Sequence, residues 1–186
     1  AANQIALNLS SMTFMIGIGL SVAAMVRVGN QKGLNDFVSL RRIAFSIFFL
    51  TFLIEIIFAS FFLLFRDWLP TLYLDQNTLI NINDNKEVII IASKLLLVAA
   101  FFQIFDGLQV AILGALRGLQ DVKIPAFITF VSYWIIGFPV SYYLGLHTSL
   151  ESIGIWIGLF TGLFAASILL YLRFNYLTKK LISSKP

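Results

Sequence analysis

A chain of 186 residues that is 59% hydrophobic, only 12% charged and +0.91 in mean hydropathy lies far from the mix of a water-soluble domain, so the composition excludes a soluble fold and leaves a membrane-embedded one. The 13 Lys and Arg outnumber the 9 Asp and Glu for a net charge of +4, but they are split among several loops rather than gathered on one face, which argues against a nucleic-acid partner. The absence of cysteine from the sequence excludes disulfides, thiolate metal sites and a cysteine nucleophile.

Five apolar stretches follow one another at about residues 4–28, 43–65, 88–116, 125–146 and 152–172, each near the roughly 20 residues a spanning helix needs. Lipid-crossing strands would alternate apolar and polar residues over short segments, whereas SIFFLTFLIEIIFASFFLLF is apolar all round. The expected fold class is all-α and polytopic. No Pro/Ser-rich linker or low-complexity segment interrupts the chain, so 1–186 reads as a single transmembrane domain. The chain starts at Ala1 without an initiator Met or a signal peptide ahead of the first span, and five spans put its ends on opposite faces; a piece of a longer protein is expected.

The first span carries Asn3, Gln4, Asn8, Ser10, Ser11, Thr13 and Ser21 along with Gly17 and Gly19. Hydroxyls and amides at this density either line a cavity or make interhelical hydrogen bonds, and both readings stand. Asn8 and Ser11 are candidate cavity residues. At its end, RVGNQKG sets Arg27 before a glycine, which suits helix termination and attraction of the side chain to the C-terminal dipole. In the second span Glu55 shares its face with Thr51 and Ala59 but also with bulky Phe48 and Phe62; a structural role, or lateral exposure in its neutral form, is expected.

The third span holds FFQIFDGLQVAILGALRG, where Asp106 interrupts an apolar run. Residues 88–116 include seventeen Leu, Ile, Val or Phe. These favour insertion by roughly 5–10 kcal/mol, against about 3 kcal/mol for one central aspartate, so the span inserts. At helical spacing Ala99, Gln103, Asp106, Gly107, Val110, Gly114 and Arg117 fall on one stripe of small and polar residues, suited to a protein-lined or watery space. Asp106 is then either a functional carboxylate or a hydrogen-bond acceptor that fixes packing. Burial favours the protonated form of a carboxylate and a nearby cation the ionised form, so one acid can hold a proton or an organic cation and exchange them. LRGLQDVKIP ends the span like the first, with Arg117 as a snorkelling anchor; the other reading pairs Arg27 or Arg117 with Asp36 or Asp121 in a cytoplasmic gate.

In the fourth span Pro139 is expected to kink the helix beside Gly137. Tyr133, Trp134, Tyr142 and Tyr143 are interfacial belt residues or, where they face a cleft, stacking partners for cationic aromatic molecules. Gln109 and Tyr133 join the candidate cavity residues. His147, the one histidine, has no HExxH-type spacing and reads as a loop residue. No Ser/His/Asp arrangement or Gly-rich phosphate loop is visible, and an intramembrane acid-pair protease would require the faces of Asp106 and Glu55 to meet.

If the first span exits on the cytoplasmic side, that side receives Arg27, Lys32, Arg41, Arg42, Arg117, Lys123, Arg173, Lys179, Lys180 and Lys185, ten of the thirteen basic residues. Arg66, Lys86 and Lys94 fall opposite, with Asp67, Asp75, Asp84, Glu87 and Glu151.

The strings AANQIALNLSSMTFMIGIGLSVAAMVRVGNQKG, FDGLQVAILGALRGLQDVKIP, YWIIGFPVSYYLG and GIWIGLFTGL resemble, in order, successive motifs of the multidrug and toxic compound extrusion (MATE) transporters, faltering only at residues 75–88 and at the tail. The resemblance implies five helices equivalent to helices eight to twelve of the twelve-helix MATE (MOP flippase-like) fold, part of the C-terminal lobe of a two-lobe antiporter in the bacterial inner membrane. Helix seven and the N-terminal lobe lie outside the chain. It also implies export of cationic drugs or toxins, no cofactor, and partners limited to lipid, cargo and the other lobe. In members that bind sodium in this lobe the aspartate matching Asp106 is a cation ligand, which marks Asp106 as the candidate metal residue and Na+ as one candidate coupling ion. The family's sodium-site tyrosine is Phe102 here, and the helix-seven acid that completes that site lies outside the chain; both weaken the sodium reading and leave proton coupling through Asp106 open. Asp106, Gln103 and Phe102 are thus the candidate coupling and cargo residues, with Glu55 a second acid. A lipid-linked oligosaccharide flippase of related architecture is the alternative, although its pyrophosphate cargo calls for cationic lining; a structural membrane subunit is the third reading.

Overall fold

The structure is a computed structural model that describes residues 2–73 and 82–184, with side chains from Lys86 in the second segment. Ala1, Asp75 and Lys185, and the side chain of Asp84, lie outside the described residues. The elements are helical throughout: α1 (Ala2–Gly33), α2 (Phe37–Phe65), a 3-10 turn (Leu69–Leu72), α3 (Ile82–Gly118), α4 (Lys123–Phe130), a π-helical segment (Val131–Gly137), α5 (Phe138–Leu146) and α6 (Glu151–Ser183). The α4–π–α5 run forms one span, so among the described residues five helices are long and apolar enough to cross a membrane, as expected.

Each helix outruns its apolar stretch, because polar residues beyond the hydrocarbon still form helix and carry the ends into the headgroup region. The motif RVGNQKG does hold the helix end, at its last residue Gly33 rather than at its first glycine. Arg27 and Gly29 lie inside α1, which continues to Gly33, and the left-handed residue beyond it is Asn35, at φ 56°. Gly29 faces Gly118 of α3, and it is at Gly118 that the approach is close: a Cβ there would stand 3.0 Å from the Gly29 amide nitrogen. Asp36 caps α2 by accepting a hydrogen bond from the Ser39 amide at 3.1 Å.

In the fourth span a π-helical turn lies just ahead of Pro139, where a kink is expected. Proline has no N–H and its ring crowds the carbonyl four residues back, a defect that wider i→i+5 turns absorb. Here the seven π residues end just ahead of Pro139, which sits in the first turn of α5.

Packing follows the small residues, as it must where lipid offers no hydrophobic drive for helix association. α1 and α3 make the most extensive helix contact of the bundle. Gly107 and Gly17 meet with 3.4 Å from a Gly17 Cβ position to the Gly107 Cα, and the Ser21 carbonyl lies directly against Gly114. Apolar clusters close the ends: Val28, Leu40, Phe48, Leu116 and Phe174 at one, and Ile5, Leu9, Phe62 and Leu96 at the other, beside a third around Ala6, Leu95 and Trp156. The buried polar side chains of Thr13, Ser21, Thr51, Glu55, Gln103 and Gln109 lie between the two ends.

Candidate functional site

On α3, the glutamines one turn before and one turn after Asp106 fall into separate surroundings. Gln103 is 3% exposed and turned into the α1 interface, where its Oε1 accepts from the Thr13 hydroxyl at 3.0 Å. Gln109 is also buried and accepts from the Tyr133 hydroxyl at 2.8 Å. Asp106 lies between these two tethers, half-buried, and lines a cavity of about 450 Å³. The Ser167 hydroxyl of α6 reaches the carbonyl of Phe105 at 3.0 Å and fixes α3 at the adjoining residue.

Three helices wall the cavity. α1 supplies Asn3, Ser10, Ser11 and Phe14; α3 supplies Phe102 and Asp106; α6 supplies Ser152 and Trp156 among others. The Trp156 indole N–H donates to Asn3 Oδ1 at 2.8 Å, and Phe102 meets the indole edge to face with ring centroids 5.7 Å apart. A single carboxylate thus faces aromatic rings and hydroxyls in a half-open space, an arrangement that suits a small cation.

Glu55 stands behind this wall. It is 1% exposed, so the expected lateral exposure is corrected: α2 turns Glu55 inward with Thr51, Ala59 and Phe62 while Phe52, Leu53, Ile56 and Ile57 face outward. Its carboxyl packs on the bare backbone at Gly107, where a Cβ would come within 2.7 Å of Glu55 Cγ and Cδ. The faces of Glu55 and Asp106 therefore meet, yet Glu55 does not line the cavity, and an acid-pair hydrolase needs both carboxyls on one water. Among the described residues no cluster of three or more His, Asp or Glu is placed to hold a metal ion.

The sequence profile described as MatE matches residues 1–143. This chain belongs to the MatE family. It is 42% identical over 180 residues to "Probable multidrug resistance protein NorM" of Rhodopseudomonas palustris, covering 96% of this chain and 37% of that protein. It is 38% identical over 184 residues to "Multidrug resistance protein MdtK" of Yersinia enterocolitica, with 97% and 38% covered. The chain thus spans a little over a third of the length of these relatives. Among solved structures, that of the eukaryotic MATE transporter AtDTX14 superposes with a TM-score of 0.83 at 22% identity over 97% of this chain and 39% of that one. The MATE structure in the bent conformation gives 0.85 at 16% identity, covering 99% and 38%. With five spans in a MatE chain, the protein is an integral inner-membrane protein.

Within this MatE chain the structure brings Asp106, Phe102 and Ser11 to one cavity. Gln103 and Gln109 flank it from buried positions, tethered to α1 and to the fourth span. Asn8 is exposed, accepting from Gln4 at 3.0 Å on another face of α1, and Tyr133 lines a neighbouring apolar groove with Trp134 and Phe138. Both acids offered to Arg27 and Arg117 as gating partners make other contacts among the described residues. Asp121 is bound by Arg173 at 2.8 Å, and Asp36 serves as the α2 cap. His147 lies at the end of α5, its ring stacked on Tyr143 at 5.7 Å. Asn3 and Ser10, from the polar set of the first span, also line the cavity, as does Trp156. For Trp156 no local signal exists, since its partner Asn3 lies 153 residues away.

Proposed function

We propose that the whole protein is a secondary active multidrug efflux antiporter, a transporter and not an enzyme, which exports organic cations in exchange for protons and uses Asp106 as the coupling carboxylate. The observation that carries this reading is the position of Asp106, half-buried in a cavity wall beside aromatic rings rather than sealed in a helix interface. A proton and a cationic cargo compete for one carboxylate, and alternating access converts that competition into extrusion. The names of the NorM and MdtK relatives support multidrug cargo.

The proton is the favoured ion over sodium. Hard cations take oxygen ligands, and Phe102 offers a ring edge one turn before Asp106 where an oxygen would serve a metal. Pyrophosphate-linked cargo is disfavoured, since the lining residues named above include an acid and no Lys or Arg. In the full-length protein Asp106→Asn should reduce cation efflux to the level of empty vesicles under an imposed proton gradient, with normal expression. Efflux driven by a sodium gradient alone should be absent in the wild type. Undiminished proton-driven efflux in Asp106→Asn removes this carboxylate from the coupling.

A further inference from the structure

The basic end of the bundle treats its cations unequally. Lys32 donates to the Leu119 carbonyl and to Gln120, Arg41 to Thr178 and Asn175, and Arg173 to Asp121, so each of these charges is taken up inside the protein. Arg27 differs. Among the described residues its exposed guanidinium has no hydrogen bond or ion pair, and it lines a small pocket of about 210 Å³ with Asn30, Gln31 and Ile43. Residues three and four apart share a helix face, so a guanidinium and two carboxamides stand side by side on α1. The side chains of Asn30 and Gln31 also have no hydrogen-bond partner among the described residues, and the pocket lining includes no Asp or Glu. A fork of charged N–H donors flanked by amide N–H donors, with no carboxylate to compete, is a donor set for a phosphate group.

The depth of the pocket narrows the choice of ligand. The apolar stretch of α1 ends near residue 28 and that of α2 begins near residue 43, so a pocket holding both Arg27 and Ile43 lies where hydrocarbon gives way to headgroups. Deeper along the same two helices Val22, Val26, Phe49 and Leu50 are exposed apolar side chains, a surface for acyl chains rather than for water. At about 210 Å³ the pocket falls below the roughly 300–1,000 Å³ of sites for whole small molecules but accommodates a headgroup whose chains remain in the bilayer.

From this arrangement we infer that the pocket between the C-terminal turns of α1 and the start of α2 binds the phosphate headgroup of an anionic phospholipid of the cytoplasmic leaflet. Arg27 holds the phosphate, and Asn30 and Gln31 donate to the headgroup oxygens. A zwitterionic lipid is the poorer ligand, because its own ammonium opposes the guanidinium. The inference goes beyond the transport reading and stands whatever the cargo and the coupling ion.

The test is native mass spectrometry of the detergent-purified full-length protein after incubation with an equimolar mixture of phosphatidylglycerol and phosphatidylethanolamine carrying the same acyl chains. The wild type should retain phosphatidylglycerol in preference. Arg27→Gln should lower the ratio of bound phosphatidylglycerol to phosphatidylethanolamine about fivefold, the effect of one cation near an anionic headgroup. Arg27→Lys should fall between the two, since it keeps the charge and loses the fork. Asn30→Leu, on the exposed rim, should shift the ratio in the same direction as Arg27→Gln. Lys180→Gln removes an exposed charge from the same end of the bundle but outside the pocket, and should leave the ratio unchanged. Equal ratios in the wild type and Arg27→Gln overturn the inference, and so does an equal fall in Lys180→Gln, which would reduce the preference to diffuse charge. Displacement of phosphatidylglycerol by excess inorganic phosphate, but not by potassium chloride at the same ionic strength, would make the pocket a soluble-anion site and overturn it as well.

Discussion

Gly107 shows how one missing methyl group shapes the site. It lets α1 and α2 both reach α3 at the level of Asp106, with Gly17 on one side and the Glu55 carboxyl on the other. An alanine at 107 would gain about 1 kcal/mol in helix propensity and lose about 1–3 kcal/mol to overpacking against Glu55 Cγ and Cδ, so the clash wins. Gly107→Ala should therefore lower the melting temperature of the detergent-purified protein. The same change in a Glu55→Ala background should be neutral or stabilising, because the obstructing atoms are gone. A double-mutant cycle measures the difference, and strictly additive effects would mean that Glu55 does not occupy the space beside Gly107.

At the level of elements, spans four and five are joined as closely as α1 and α3. The backbone of Ser141 lies directly against Gly158, a Cβ at Gly154 would meet the Leu144 carbonyl oxygen at 2.5 Å, and one at Gly137 would meet the Gly162 Cα at 3.1 Å. The Ser141 hydroxyl completes the seam by donating to the Ile155 carbonyl at 3.0 Å. Gly158→Ala must push backbone from backbone, which no side-chain rotation relieves, and should cost about 3 kcal/mol, at the upper end for overpacking. Gly19→Ala has nothing within 4 Å and should be neutral or slightly stabilising. Thermal melting of the two variants side by side checks this, and equal melting curves would contradict the packing of α5 on α6. These contacts also mark where sequence reading stops. The five spans were legible because an apolar run of spanning length has one stable fate in a bilayer, and the stripe through Gln103, Asp106 and Gly114 because helical spacing is fixed. The inward turn of Glu55 was not legible, since its stripe of Phe48 and Phe62 is as compatible with lipid as with core; the partner that decides it, Gly107, lies on another helix. Likewise Asn8 and Ser10 stand only two residues apart on α1, yet the helix rotates about 200° between them, and only the docking of α1 on α3 says which one meets the cavity.

For the whole molecule, the distribution of charge fixes orientation. Lys32, Arg41 and Arg173 belong to one end of the bundle and are tied into it: Lys32 donates to the Leu119 carbonyl at 2.8 Å, Arg41 to Asn175 at 2.7 Å and Arg173 to Asp121 at 2.8 Å. These contacts join the C-terminal ends of α1, α3 and α6 to the N-terminal end of α2, so the basic loops share one face, while Arg66, Asp67, Lys86 and Glu151 belong to the opposite one. Cationic loops are retained in the cytoplasm, which places the α1–α2 and α3–α4 connections inside and the α5–α6 loop outside. Because the chain has no cysteine of its own, a single introduced thiol reports its side unambiguously in a full-length protein freed of other cysteines. Ser149→Cys in the α5–α6 loop should react with a membrane-impermeant maleimide in intact cells, and Lys179→Cys near the end of α6 only in inverted vesicles. α6 is 33 residues long, about 50 Å, against a hydrocarbon core of about 30 Å, so both thiols clear the lipid and neither silence nor double labelling is expected. The reverse pattern would invert the bundle and contradict the retention of its basic loops in the cytoplasm.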